Sequence, residues 1–174
     1  FIISTSKGEF KSKNIISTLP HENNLALFNH PLPKNLSEKK WSAFSLYFTV
    51  PKLDINSLYY QIHTGPIPIL NTESFFVSFS DPEDFLRNKN QRLTVTISTH
   101  ANYFDFNQLS PIAYQAQKDL IKNFILDKFC FEFNLVKEDI QHLEVGTPKT
   151  FERFTNRFQG LVGGAGHHVN QSIK

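Results

Sequence analysis

Three stretches of the chain alternate apolar and polar side chains with a period of two, the pattern of a half-buried strand. In 42–50, Phe44, Leu46, Phe48 and Val50 share one face, and Ala43, Ser45, Tyr47 and Thr49 share the other. In 74–80, Phe75, Val77 and Phe79 oppose Ser74, Phe76, Ser78 and Ser80. In 92–99, Leu93, Val95 and Ile97 oppose Arg92, Thr94, Thr96 and Ser98. A weaker strand, Tyr59 to Thr64, is expected to join them. Earlier, Phe1 to Ser4 reads as a strand, Ser6-Lys7-Gly8-Glu9 as a turn, and Asn14 to Thr18 as a second strand stopped by Leu19-Pro20. A short helix is expected over His21 to Phe28, within a proline-punctuated connection.

The period then changes. Ser110 is a suitable N-cap with Pro111 at the first helical position, and Ala113, Ala116, Leu120, Ile121, Phe124 and Ile125 recur at steps of three and four. This predicts a long helix that lays this stripe on the sheet. Lys137 to Gln141 is read as helical, and His142 to Val145 as a returning strand. Thr147-Pro148 repeats the cap-plus-proline signal, opening a short helix through Phe154. Asp81 to Asp84 and Asn88 to Gln91 are expected as exposed turns. The order predicts an α+β fold, with an antiparallel or mixed sheet and helices packed on one face.

Composition narrows the class. At 174 residues, 40% hydrophobic and 20% charged, the chain is long enough for one core and too apolar to be disordered. Its formal charge of +2 is spread among acids with no basic cluster, which argues against a nucleic-acid partner. No apolar run reaches a membrane span. The absence of Met and the apolar opening Phe1-Ile2-Ile3 suggest a segment of a longer protein, a trimmed mature chain being the alternative. The single cysteine, Cys130, sits between phenylalanines, where a buried inert thiol in a reducing compartment is expected. Eighteen Phe against five Tyr and one Trp suit either a Phe-rich core or a pocket for a long hydrocarbon.

Familiar catalytic patterns are missing. The seven histidines form no H-x-x-x-H pair, and His167-His168 reads as a surface pair rather than a metal site. No G-x-S-x-G elbow is present. His100, at the end of a strand, is expected to be satisfied by backbone groups. The glycines at 160, 163, 164 and 166 lack both the Walker ending and the following helix of a dinucleotide fingerprint.

One block is more specific. Gly146-Thr147-Pro148-Lys149-Thr150-Phe151-Glu152-Arg153-Phe154-Thr155, followed by Gly160 and Gly163-Gly164, resembles a segment of the carotenoid desaturase and carotenoid isomerase family, FAD-dependent oxidoreductases related to phytoene desaturase. Leu93 to His100 is similar to a strand of the branch with carotenoid 3',4'-desaturases, and Ser6 to Phe10 with Asn14 to Pro20 resembles the strand pair leading back to the nucleotide fold. Asn156 departs from the family's glycine, a mild change because Asn tolerates left-handed φ, and Phe158 from its proline. The family's G-x-G-x-x-G fingerprint is not in this sequence.

The resemblance implies the substrate domain of a phytoene desaturase-like flavin enzyme of the flavin amine oxidase type. Residues 1–20 would be a strand pair at the edge of the nucleotide-binding half, 21–164 the substrate-binding domain, and 165–174 a Gly/His tail leading back to the FAD segment. The intact enzyme would use FAD, not retained by this segment, to desaturate a carotenoid or other long polyene. A carotenoid cis–trans isomerase, or a non-enzymatic module for hydrophobic ligands, is the alternative. Ser17, Thr18, Leu19 and Pro20 are the flavin-proximal candidates. Ser45, Tyr47, Phe76, Ser78, Thr94 and Thr96 are the substrate-facing ones, with no metal ligand. No acid–base residue is obligatory where a cofactor performs the chemistry. The resemblance places the intact enzyme in the cytoplasm, peripheral to a membrane because its substrate lives there, although no amphipathic basic helix is legible for that contact. Exposed Phe residues could also pair segments into a dimer.

Overall fold

A computed structural model describes residues 1–31, 41–84, 86 and 91–162. The chain divides into two compact units, Phe1–Asn35 and Leu36–Lys174. The tail at 165–174, His167-His168 and the glycines at 163, 164 and 166 lie outside the described residues, as does most of the turn expected at 88–91.

The first unit holds a hairpin of β1 (Ile2–Thr5) and β2 (Gly8–Lys11), followed by helix α1 (His21–Leu27). Thr5 pairs with Gly8, leaving Ser6 and Lys7 as a two-residue loop, and Gly8 takes φ +120°, which side chains resist. The return strand is therefore Gly8–Lys11, and the apolar run Asn14 to Thr18 is irregular. The two-residue turn selects the adjacent Gly8–Lys11 as the partner of β1 in preference to the more β-branched but more distant run.

The second unit is built on five antiparallel strands in the order β4 (Tyr59–His63), β5 (Ser74–Phe79), β6 (Arg92–Ala101), β3 (Ser42–Pro51) and β7 (Gln141–Gly146). Helices α2 (Phe104–Asn107), α3 (Pro111–Glu132) and α4 (Pro148–Thr155) complete it. The fold is α+β, with every strand pairing of the described residues antiparallel. β3 and β6 pair over their full ten-residue lengths. Where β3 pairs with β7 the register shifts between Tyr47 and Thr49 of β3, and Arg92 donates there to Thr49 Oγ1 and to the carbonyls of Thr49 and Asp139.

The alternation sets the layers. Phe44, Leu46, Phe48, Phe75, Val77, Phe79, Leu93, Val95 and Ile97 are all buried in one cluster with Ile121, Ile125, Leu126, Phe129 and Cys130 of α3. Phe129 meets Phe48 edge-on at 5.1 Å, and Phe133 meets Phe79 at 5.0 Å and Tyr60 at 5.2 Å. The phenylalanines that are fully buried, Phe44, Phe48, Phe75, Phe106 and Phe129, are thus core residues.

Ser110 caps α3 by accepting from the Ala113 amide, and the expected stripe is buried at Ile121 and Ile125 and packed on the core at Phe124, but not in its N-terminal half. Ala113, Ala116 and Leu120 are exposed, and Ile121, Ile125, Leu126, Phe129 and Cys130 face inward. Small alanines gain little by burial, so the large side chains of the C-terminal half choose the face. The polar run after α3 forms only a short 3₁₀ turn, Lys137–Asp139. Phe129→Ala should therefore lower stability by about 3–5 kcal/mol, whereas Leu120→Ala should stay within about 0.5 kcal/mol. Urea midpoints of the two variants check this, and equal losses would restore the alanine-lined face.

Candidate functional site

Because α3 covers one face of the sheet, the other presents the alternate residues in rows set by strand register. One row runs Glu144, Tyr47, Thr96, Ser78 and Tyr59, and the next Gly146, Ser45, Ser98, Phe76 and Gln61. Of the expected substrate-facing residues, Tyr47, Thr96 and Ser78 are direct cross-strand neighbours, and Ser45 and Phe76 flank Ser98. Thr94 lies at the edge of the set, opposite Thr49. Tyr47 is 38% exposed and Phe76 41%, whereas Ser45 is only 3% exposed and forms floor rather than wall. The Tyr59 ring stacks on Phe76 at 6.1 Å, making an aromatic ledge on the β4–β5 side.

At the end of this face where β3 begins, a cleft of about 380 Å³ is lined by Ala43, Gln61, Ser74, Phe76, Ser98, His100 and Val162, among others. Only Phe76 of the six expected residues lines it. The remaining lining comes from β5 itself with a residue ahead of it, from β3, β4 and β6, and from the distant Val162, brought together largely by register, so no local sequence pattern announces it. His100 is exposed, and among the described residues its side chain takes no backbone partner. Its ring rests 4.8 Å from the Trp41 indole. Gln61 Nε2 donates to Ser74 Oγ, and the Val162 amide donates to the Trp41 carbonyl, seating the cleft's outer wall.

That wall is held by the residues of the family-like block. Thr147, fully buried, caps α4 by accepting from the Thr150 amide, and its Oγ1 lies 2.7 Å from the Tyr114 hydroxyl. Phe151 packs over Gly146, where a Cβ would meet its ring at 3.3 Å. Glu152 accepts from the Tyr103 hydroxyl and the Gln159 amide. Asn156 closes α4 in the left-handed region, φ 52°. Gly160 at φ +60° approaches so closely that a Cβ would lie 2.0 Å from the Pro148 carbonyl oxygen, and its own carbonyl accepts from Ser42 Oγ. The block is a clasp that fixes the chain after β7 against the start of β3.

Electrostatics single out no acid–base pair. Burial, then the hydrogen bond and charge of Glu152, push the Tyr103 phenol above its ordinary value. Burial pushes the Cys130 thiol up, consistent with an inert core position. Among the described residues no group of three His, Cys, Asp or Glu is arranged to hold a metal.

In the first unit, Ser17, Thr18, Leu19 and Pro20 lead into α1. Ser17 Oγ bonds Asn24 Oδ1 and accepts from the Leu19 amide, while Asn24 donates to the carbonyls of Leu19 and Pro20. The glycines among the described residues offer no phosphate cradle. The space beside Gly146 and Gly160 is filled by the chain's own atoms, and Gly8 and Gly65 lie at open turns, so no glycine cradle receives a pyrophosphate. No protein-family model matches this chain, and no curated protein matches it.

Gly160→Ala should destabilise the clasp by roughly 2 kcal/mol or more, since the added methyl meets backbone in a strained conformation; thermal melts would show it, and a neutral result would refute the close approach. A raised phenol favours the folded state below the ordinary tyrosine pKa, and that contribution is lost as pH rises through the folded value. An alkaline absorbance titration should contain a late tyrosine step that Tyr103→Phe removes.

Proposed function

We propose that this chain supplies the substrate-binding wall of an FAD-dependent oxidoreductase that desaturates a carotenoid or other long polyene. The observation that carries the proposal is the one-sided sheet. α3 covers one face, while the opposite face offers exposed rings, small hydroxyl residues and, among the described residues, no ion pair across its centre. A long apolar ligand gains from such a surface by displacing water from Tyr47, Phe76 and Tyr59, roughly 25 cal/mol per Å² of apolar area. The small floor of Ala43, Ser45 and Ser98 lets it approach the backbone. Offset contact with the aromatic ledge fixes its lateral position.

In this assignment the described residues bind, orient and dry the substrate. The flavin is given no cradle among them, and Ser17 to Pro20 remain the flavin-proximal candidates. Clefts that hold drug-sized ligands are commonly about 300–1,000 Å³, so the cleft beside His100 accommodates one end of a polyene while the rest lies along the open face. No helix among the described residues is long and apolar enough to cross a membrane. Peripheral contact of the intact enzyme with the bilayer belongs to the same proposal, because such a substrate lives there.

Trp41, the chain's single tryptophan, stands at the cleft rim and reports occupancy. Titrating a long polyene such as retinol should quench its emission, and Phe76→Ala should weaken binding about tenfold, the loss of one buried aromatic contact. Absence of quenching, or quenching indifferent to Phe76→Ala, would sink the proposal. After incubation with FAD and desalting, the visible spectrum should be that of a colourless protein. Retained flavin would show that this chain builds a cofactor site and would overturn the division of labour.

A further inference from the structure

Away from the sheet face, a second cleft of about 380 Å³ lies between α3 and α4, lined by Tyr114, Lys149, Thr150, Glu152, Arg153 and Phe154. Lys149 and Arg153 stand four residues apart, on one face of α4. Among the described residues their partners are rings: Lys149 Nζ lies 5.6 Å from the Tyr114 centroid, and the Arg153 guanidinium 5.3 Å from that of Phe154. The acid within the cleft, Glu152, is committed to Tyr103 and to the Gln159 amide.

Among the described residues both cations are therefore held without a carboxylate partner, and their positions are unfavourable for stability alone. Lys149 occupies the first turn of α4, where the helix presents its positive end and no acidic residue offsets it. Two like charges at this spacing also repel. An anion in the cleft would relieve both penalties. Phe154, on the same wall, is 76% exposed.

We propose that Lys149 and Arg153 form a binding site for a phosphate-type anion, the two cations taking the charged oxygens and Tyr114 and Phe154 walling the site. Such a group comes either from a lipid headgroup, with Phe154 entering the interfacial layer where aromatic side chains are favoured, or from a soluble phosphate. The site is independent of the sheet face and of the function proposed for it.

The test uses the full chain with two probes. One is co-sedimentation with vesicles of phosphatidylcholine, with and without phosphatidylglycerol. The other is calorimetric titration with inorganic phosphate. Binding confined to the anionic vesicles, weakened by salt, lowered about tenfold or more by Lys149→Gln with Arg153→Gln and lowered also by Phe154→Ser, identifies a lipid headgroup. Binding of inorganic phosphate that the double variant loses and Phe154→Ser retains, without vesicle binding, identifies a soluble phosphate. If neither probe binds, or the double variant binds both as the parent does, the site does not exist. Should the double variant fail to fold by circular dichroism, the single variants carry the same comparison.

Discussion

Phe129 of α3 sits edge-on against Phe48 at 5.1 Å while Phe133, one turn on, packs on Phe79 and Tyr60. This aromatic seat joins the helix to three different strands at once, and it decides which face of the sheet is covered. Edge-to-face rings at these distances add about 0.5–1.5 kcal/mol per pair to their area burial. The two full-length partners at the sheet's centre, β3 and β6, then have one face dry and the other open. The rows of Tyr47, Thr96 and Ser78 and of Ser45, Ser98 and Phe76 follow as the necessary complement of that burial.

The block that gave the strongest resemblance does architectural work. Gly146 makes room for Phe151, Thr147 caps α4 beneath Tyr114, Glu152 ties down Tyr103 and Gln159, and Gly160 passes against Pro148 to meet Ser42. Each of these residues is explained by packing or a hydrogen bond within the unit, so they speak first for a fold. Its functional consequence is indirect: the clasp seats Val162 beside Trp41 and so builds the outer wall of the cleft.

Much of the sheet was legible because period-two alternation survives any tertiary context that buries one face. Phe44, Leu46 and Phe48 could hardly face anything but a core. The caps at Ser110 and Thr147 were equally readable, since each needs only a hydroxyl and a proline in sequence. The return strand of the first hairpin was not, because its residues Gly-Glu-Phe-Lys have little β character and the pairing is chosen by the turn. The stripe of α3 was legible at Ile121, Phe124 and Ile125, which meet the core. It was not legible at Ala113, Ala116 and Leu120, which are exposed because small or N-terminal side chains gain less from the seat that the large C-terminal ones take. The cleft was hidden for a different reason: Ala43, Gln61, Ser98, His100 and Val162 are remote in sequence, and only the strand order makes them neighbours. His100 carried a signal at its strand end, but its partner, Trp41, is distant in the chain.

The central claim is that a long apolar ligand meets the open face and not the α3 side. Backbone amide resonances of the isotopically labelled chain, followed while a polyene is added, test it most directly. The account predicts shifts at Ala43, Phe76, Ser98 and His100, with Phe129 and Cys130 unmoved. Shifts centred on α3, or none on β3, β5 and β6, would contradict it.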